Sequence, residues 1–257
     1  MELTTKGLVL REVQYKEADK ILTVLTQDAG KLTVSARGCR KKGSAIAAVS
    51  QLLVWSELTL TQRQGRWSLK EGLTQRRFDG VRSDLEKLAL GSFFAEVAEV
   101  LVGEEQPDQP MLSLLLNSLH ALEQLPLPPR QIKAAFCWKA MALAGYEPLC
   151  QGCGVCGREE PQEGRIHLLA GMVHCAGCPV GDGRSLPLSP AALSALRYIL
   201  YGDARRLFSF RVDPVSLRQL DLAGEAYLTT QLERGFRTLE FYQSLKKWEN
   251  VHHDGTL

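Results

Sequence analysis

KILTVLTQDAGKLTVSAR, residues 20–37, is the segment from which the N-terminal architecture can be inferred. Two runs rich in Ile, Leu, Val and Thr flank the turn Asp28-Ala29-Gly30, a pattern typical of a β-hairpin. Similar runs precede and follow this segment, and a second turn lies at residues 63–66. We therefore predict five strands, over residues 3–11, 20–27, 31–37, 52–62 and 67–74. Five short strands favour a small β-barrel.

Beyond residue 80 the apolar residues recur with the period of a helix. Ser83 and Glu86 have the spacing of a capping box at the start of the first helix. Ser189 and Asp213 each precede a proline, which suits the first turn of a helix. These signals predict helices over residues 83–102, 111–125 and 130–144, a fourth from residue 190, and a fifth from residue 214 that extends to residue 242.

Five of the seven cysteines lie between residues 150 and 178. Cys153 and Cys156 are separated by two residues, as are Cys175 and Cys178, which is the ligand spacing of a zinc ribbon. Four thiolates fill the tetrahedral coordination of a structural Zn²⁺ and leave no position open for a substrate. The sequence therefore predicts one structural zinc ion and no catalytic metal.

Two neighbouring residues leave the choice of ligands partly open. Cys150 forms an overlapping pair with Cys153, and His174 lies beside Cys175. We expect neither Cys150 nor His174 to be a ligand, because the two pairs already supply four thiolates. A local cluster of thiols suits a metal site in a reducing compartment better than a disulfide framework. We therefore expect a cytoplasmic protein.

Neither a secretion signal nor a membrane span is expected. Glu2 follows the first residue, and no apolar run comes directly behind it. The most apolar run, residues 88–102, contains Glu96 and Glu99 and is shorter than the roughly 20 residues that cross a bilayer.

Positive charge is concentrated in the N-terminal third. Residues 1–80 contain 14 Lys and Arg against 8 Asp and Glu, although the net charge of the chain is only +2. Four cations follow a predicted strand in a single loop, and such a loop can attract phosphates. We predict DNA contacts at Arg37, Arg40, Lys41 and Lys42, with Lys31, Arg63 and Arg66 as weaker candidates.

Aromatic side chains on a barrel can stack on the bases of a single strand. Four are available in this region, namely Tyr15, Trp55, Trp67 and Phe78. The sequence leaves open which of them are exposed, and Trp55 and Phe78 suit a core position at least as well.

Common enzyme motifs are missing from the sequence. It contains no phosphate-binding loop that ends in Gly-Lys-Ser/Thr, no His-Glu-x-x-His and no Gly-x-Ser-x-Gly. Residues 152–157 match the Gly-x-Gly-x-x-Gly dinucleotide pattern, but they overlap the first cysteine pair and lack the required strand and helix. We predict a protein that is not an enzyme.

Three separated segments resemble the bacterial RecO family of recombination mediators. YKEADKILTVLT (residues 15–26), Gly30-Lys31 and ARGCRKK (residues 36–42) are similar to its N-terminal domain. FCWK (residues 136–139), GYEP (residues 145–148) and the cysteine pairs follow in the order of its C-terminal part. The resemblance covers nearly the whole chain.

The resemblance implies a multidomain α+β fold in which an OB-fold β-barrel precedes a mostly helical domain. On this basis residues 1–80 form the OB-fold nucleic-acid-binding domain, and residues 81–149 and 186–250 form the helical domain. Residues 150–185 form a zinc-binding module inserted in the helical domain. Some members of the family lack the metal ligands, so the zinc is expected to act as a scaffold.

The resemblance also implies an activity and partners. The protein would bind single- and double-stranded DNA, anneal complementary strands, and help RecA replace single-strand-binding protein, together with RecR. The acidic C-terminal tail of single-strand-binding protein would be a direct partner, and we assign Arg130, Lys133 and Lys139 as its candidate contacts. Two alternatives remain: a zinc-ribbon accessory factor that binds RNA, and a nucleotide-dependent enzyme with a structural four-cysteine insertion.

Overall fold

The structure, a computed structural model, describes residues 1–253. It contains two compact units. One comprises residues 1–124 together with the chain from Phe236 onward, and the other comprises residues 125–235.

Five strands form a closed barrel in the first unit, as the sequence predicted. The strands are β1 (Glu2–Tyr15), β2 (Asp19–Thr26), β3 (Gly30–Ala36), β4 (Trp55–Arg63) and β5 (Arg66–Arg76). Their order around the barrel is β1-β2-β3-β5-β4. All neighbours are antiparallel except β3 and β5, which pair in parallel over Val34–Trp67 and Ser35–Ser68 and thereby close the barrel.

Alternating apolar residues fill the barrel interior. Val9, Leu22, Val24, Leu32 and Val34 are buried and belong to one cluster. Burial of such side chains drives the folding of the barrel, because each contributes roughly 1.5–3 kcal/mol when it is fully removed from water.

Two strand boundaries differ from the predicted ones by three residues or more. β1 continues to Tyr15, which pairs with Asp19 across the hairpin. β4 begins at Trp55 instead of residue 52, because Leu53 has a left-handed backbone (φ 59°) that is incompatible with a strand.

Seven α-helices follow the barrel in the described chain. They are α1 (Asp79–Arg82), α2 (Leu85–Leu101), α3 (Gln109–Gln124), α4 (Pro129–Leu143), α5 (Pro190–Tyr201), α6 (Pro214–Gln231) and α7 (Arg237–His253). The predicted cap at Ser83 is wrong, because Ser83 ends α1 and the carboxylate of Asp84 accepts the hydrogen bond from the Lys87 amide. The predicted caps at Ser189 and Asp213 are confirmed.

The long helix predicted from residue 214 to Tyr242 is wrong, because it is two helices. α6 ends at Gln231, and Glu233 has a left-handed backbone (φ 50°) two residues before Gly235. The apolar stripe therefore continues across a break: Leu228 lies in α6, whereas Tyr242 lies in α7.

The two compact units do not coincide with the domains expected from the sequence. α1, α2, α3 and α7 belong to the unit of the barrel. One carboxylate oxygen of Glu96 in α2 accepts hydrogen bonds from both the amide and the hydroxyl of Thr238 in α7. Phe93 and Phe236 meet edge to face, with ring centroids 5.8 Å apart. These contacts place α7 with the barrel, although more than a hundred residues separate it from α2.

The second unit packs α4, α5 and α6 together with a small sheet. Trp138 of α4 stacks on Tyr227 and donates a hydrogen bond from its indole to the carbonyl of Leu220. The sheet has the order β7-β6-β8, and its strands are β6 (Arg165–His167), β7 (Met172–His174) and β8 (Ser185–Pro187). Within residues 1–253, no helix combines the length and the apolar character that crossing a membrane requires.

We predict that Gly30→Ala destabilises the barrel strongly. Gly30 has a left-handed backbone (φ 67°), and a Cβ atom there would overlap the backbone of Gln106. Gly65 has a similar φ of 74°, but a Cβ there would meet nothing within 4 Å. Gly65→Ala should therefore cost only the strain of the left-handed backbone, about 1–2 kcal/mol, whereas Gly30→Ala should cost roughly 3–5 kcal/mol.

The free energies of unfolding in urea, followed by tryptophan fluorescence, would compare these two variants. Equal losses would show that the overlap with Gln106 is relieved without cost.

Candidate nucleic-acid surface and metal centre

The loop that contains the predicted DNA-contacting cations is fixed to the β1–β2 turn. The amide of Gly38 donates a hydrogen bond of 2.7 Å to the carboxylate of Asp19. The amide of Arg40 donates to the carbonyl of Ala18 (3.0 Å), and its guanidinium donates to the carbonyl of Glu17 (3.0 Å). The loop and the turn therefore form a single structured ridge at one end of the barrel.

Six of the seven predicted DNA-contacting cations are exposed. These are Arg37, Arg40, Lys41, Lys42, Arg63 and Arg66. The structure corrects the prediction for Lys31, which is only 9% exposed. Its ammonium donates a hydrogen bond to the carbonyl of Glu99 at 2.6 Å. It also pairs with Glu104 at 3.4 Å. A cation at the C-terminal end of α2 stabilises that helix end and is not free for a phosphate.

A groove of about 630 Å³ lies beside this ridge. Tyr15 at the end of β1 and Lys16 in the β1–β2 turn line it, together with Arg37 directly after β3 and Arg66 and Trp67 at the start of β5. OB-fold barrels bind oligonucleotides at the face and the loops that correspond to this position. The groove thus brings together predicted cations from two separate segments.

Only two of the four candidate aromatics line the groove. Tyr15 is 50% exposed, and Trp67 is 7% exposed. Phe78 is buried, and Trp55 does not line this groove.

Lys16 was not among the residues predicted from the sequence to contact DNA. Its ammonium lies 5.4 Å from the centroid of the Tyr15 ring. Its position between two strands, at the tip of a hairpin, is the signal that could have identified it.

The four predicted metal-binding cysteines form one cluster. The Sγ atoms of Cys153, Cys156, Cys175 and Cys178 all lie within 4.8 Å of one another. Cys153 and Cys178 are 3.8 Å apart, and Cys156 and Cys175 are 3.9 Å apart. Tetrahedral bonds of about 2.3 Å to a zinc ion would place the sulfurs about 3.8 Å apart. The donor set therefore fits one tetrahedral metal ion.

Backbone amides point at two of the thiols, and at Cys153 they favour the ionised form. The amides of Cys156 and Cys175 donate to Sγ of Cys153 at 3.5 and 3.4 Å, and the amide of Gln162 donates to Sγ of Cys175 at 3.3 Å. Desolvation opposes ionisation of Cys153, but the amide hydrogen bonds outweigh it and lower the pKa of this thiol to about 6. An ionised sulfur is the form that binds a metal.

The structure separates the two alternative ligands from the cluster. Cys150 is not part of the four-sulfur group, and its thiol lies 3.7 Å from the hydroxyl of Tyr201. The ring nitrogens of His174 are occupied by the carbonyl of Cys175 and the hydroxyl of Ser185, both at 2.8 Å.

Arg197 of α5 holds the segment that contains the first cysteine pair. Its guanidinium donates to the carbonyls of Cys150 (2.8 Å), Gln151 (3.0 Å) and Glu159 (2.9 Å), and it pairs with the carboxylate of Glu160 (2.9 Å). Arg197 was not among the site residues predicted from the sequence, although it is the sole charged residue of α5. Arg197 therefore positions both ends of the loop that carries Cys153 and Cys156.

The predicted partner-binding cations of α4 lie in different environments. The structure corrects the prediction for Lys133, which is only 3% exposed. Its ammonium pairs with Asp221 at 3.1 Å and with Glu225 at 2.5 Å. Burial alone would lower its pKa, but the two carboxylates outweigh burial and raise it. Arg130 is exposed, and the ammonium of partly buried Lys139 donates to a backbone carbonyl.

We predict that Cys153→Ser lowers the amount of metal bound per chain. Loss of one of four thiolates should weaken a site that contributes on the order of 10 kcal/mol to local folding, so that residues 150–185 become sensitive to protease. Metal content after dialysis against a chelator, measured by mass spectrometry, would check this. Cys150→Ser is the matched control and should retain its metal. Loss of metal from Cys150→Ser would show that Cys150 is a ligand.

We predict that Arg197→Lys weakens metal binding without removing a ligand. Lysine keeps the charge but cannot reproduce the planar fork that reaches four acceptors. Competition with a chromophoric chelator should show at least about tenfold weaker affinity, since each lost hydrogen bond costs about 1 kcal/mol. Arg184→Lys, an exposed position in the same module, is the control. Equal affinities of the two variants would contradict a positioning role for Arg197.

Known proteins resemble the chain along nearly its whole length. The family model described as Recombination protein O N terminal matches residues 1–75, and the one described as Recombination protein O C terminal matches residues 82–240. The DNA repair protein RecO of Acetivibrio thermocellus is 30% identical over 245 residues, which cover 95% of this chain and 98% of the relative. That of Anaeromyxobacter dehalogenans is 31% identical over 243 residues, which cover 93% and 95%.

These matches identify the five-stranded barrel as an OB-fold, as predicted. This chain belongs to the RecO family of DNA repair proteins.

Proposed function

We propose that this protein is a recombination mediator that binds single- and double-stranded DNA and anneals complementary strands. It would also help load RecA onto DNA coated with single-strand-binding protein, and it would act with RecR. The observation that supports this most directly is the cationic groove and ridge on the OB-fold barrel of a RecO family member.

The chemistry of annealing needs charge neutralisation and no bond making. Two complementary strands repel each other through their phosphates, and a basic surface lowers this repulsion because its cations neutralise phosphate charge as the counterions are released. Arg37, Arg40, Lys41 and Lys42 supply four exposed cations within six residues, with Arg63 and Arg66 on the neighbouring turn. These residues are our proposed DNA contacts.

Single-strand-binding protein and RecR are the proposed protein partners. The acidic C-terminal tail of the former would meet cations of α4. Arg130 is the better candidate because it is exposed, whereas Lys139 is partly buried and donates to the carbonyl of Leu200. RecA would be an indirect partner, because it binds the DNA from which the coating protein has been displaced. A cytoplasmic location, nucleoid-associated when DNA is bound, belongs to the same proposal.

We propose zinc as the ion held by the four cysteines, since a closed set of four thiolates is typical of structural zinc. Its role would be to order residues 150–185, where strands are only three residues long. The ion would not take part in DNA chemistry.

Annealing of complementary strands in the absence of nucleotide tests the proposal. Both strands would be coated with single-strand-binding protein, and duplex formation would be followed by fluorescence quenching between labelled ends. We expect acceleration above the spontaneous rate. The absence of acceleration would contradict the mediator function. Matched RNA strands would be a second arm, and a clear preference for RNA would support an RNA-binding accessory factor instead.

Changing Arg40, Lys41 and Lys42 together to Ala should slow annealing and weaken DNA binding. Three lost phosphate contacts should reduce the slope of log affinity against log salt by roughly 2 for a single strand. Arg184, Arg205 and Arg218, which are exposed in the other unit, provide a control of equal charge when changed together to Ala. An unchanged slope in the first variant, or equal slopes in both variants, would show that the ridge does not contact DNA.

A further inference from the structure

A second groove, of about 360 Å³, lies beside the four-cysteine cluster. Residues 149–154, Gly157, Glu159 and Tyr201 line it, and we call it the knuckle groove. It belongs entirely to the second unit, and none of the proposed DNA contacts lines it. What this groove binds is therefore a question separate from DNA binding.

Two large apolar side chains are exposed at the knuckle groove. Leu149 is 67% exposed, and Tyr201 is 46% exposed. The amide of Leu149 donates a hydrogen bond to the carbonyl of Gly171, and Tyr201 is the last residue of α5, so the backbone holds both in place. The thiol of buried Cys150 lies 3.7 Å from the Tyr201 hydroxyl. Exposed apolar side chains that line a preformed groove mark a binding surface for another molecule.

The charge at the knuckle groove is negative. Glu159 lines it directly. Burial raises the pKa of Tyr201, and Cys150 and the nearby carboxylate of Glu147 raise it further, which places this second carboxylate at the same groove. Within residues 1–253, neither Glu147 nor Glu159 forms an ion pair, and no cation lines the groove.

Two cations lie near these carboxylates without neutralising them. The guanidinium of Arg197 is occupied by three backbone carbonyls and by the carboxylate of Glu160. Arg158 is exposed in the same loop but does not line the groove. A complementary occupant therefore combines an apolar body with positive charge, and an acidic peptide is repelled.

We propose that the knuckle groove docks an arginine side chain from a basic segment of a partner protein. The aliphatic stem packs on Leu149, while the planar guanidinium stacks on the ring of Tyr201 and pairs with the carboxylates of Glu147 and Glu159. The volume lies at the lower end of the roughly 300–1,000 Å³ of ligand sites, which suits one long side chain and its neighbours. This inference goes beyond the proposed DNA-binding function, because it assigns a protein-binding surface to the second unit.

Titration of the ¹⁵N-labelled, zinc-loaded chain with the peptide acetyl-Leu-Arg-Leu-amide tests this docking site. We expect saturable shifts of the amide signals of Gly152, Gly154 and Gly157, which line the groove, and none at Gly65 in the barrel. The same peptide with citrulline in place of arginine keeps the shape but loses the charge. It should bind at least about fivefold more weakly, since an exposed ion pair has an effect of up to this order.

The double variant Glu147→Gln/Glu159→Gln should bind the arginine peptide at least about fivefold more weakly and should no longer prefer it to the citrulline peptide. Leu149→Ala should weaken the binding of both peptides. Glu163→Gln and Leu169→Ala, at exposed positions of the same unit outside the groove, are the matched controls and should alter neither affinity.

Shifts confined to other residues would overturn the docking site, and so would equal affinities of the unchanged protein for the two peptides. Equal affinities of the double variant and Glu163→Gln for the arginine peptide would also contradict it. Leu149→Ala should anneal DNA strands as fast as the unchanged protein, because the proposed DNA contacts lie in the first unit. If the unchanged protein binds the arginine peptide but does not accelerate annealing, the docking site stands and the proposed function fails.

Discussion

The parallel pairing of β3 with β5 closes the barrel, and the arrangement of the candidate DNA surface depends on it. Only two residue pairs join these strands, Val34 with Trp67 and Ser35 with Ser68. Arg37 follows β3 directly, and Arg66 is the first residue of β5, so the pairing brings cations from two segments to one groove. A shift of register by one residue would turn Trp67 from the core to the opposite face of its strand.

Burial divides the cations of this chain into two groups with different roles. Lys31 and Lys133 are enclosed and compensated, the first by the end of α2 and the second by two carboxylates. Enclosed cations of this kind fix elements to one another, because removing either partner would leave an unpaired buried charge. The cations between Arg37 and Lys42 remain at the surface, and the turn is held in place by backbone hydrogen bonds and by Asp19. The candidate DNA surface is therefore held in place mainly by backbone groups and Asp19, although Arg40 also donates to the carbonyl of Glu17.

Local patterns in the sequence were sufficient to predict the barrel strands, the helix caps at Ser189 and Asp213, and the cluster of four thiols. Each depends on residues a few positions apart, and the cysteine pairs specify both the donor type and the turn. The environment of Lys31 could not be predicted in this way, because its hydrogen-bond partner Glu99 is 68 residues away in the sequence. No local sequence pattern indicates so distant a partner. The break between α6 and α7 was missed for a related reason, since the apolar stripe continues through it while its two halves pack in different units.

The return of the chain to the first unit at Phe236 makes that unit discontinuous in sequence. During synthesis, the strands of the barrel and α2 emerge well before α7 does. Phe93 and Glu96 of α2 therefore cannot make their contacts with Phe236 and Thr238 until residues 125–235 have been synthesised. The part of α2 that α7 covers is exposed during that interval, and exposed apolar surface makes a nascent chain prone to aggregate or to bind a chaperone. The order of translation thus makes the last helix the step that completes the first unit.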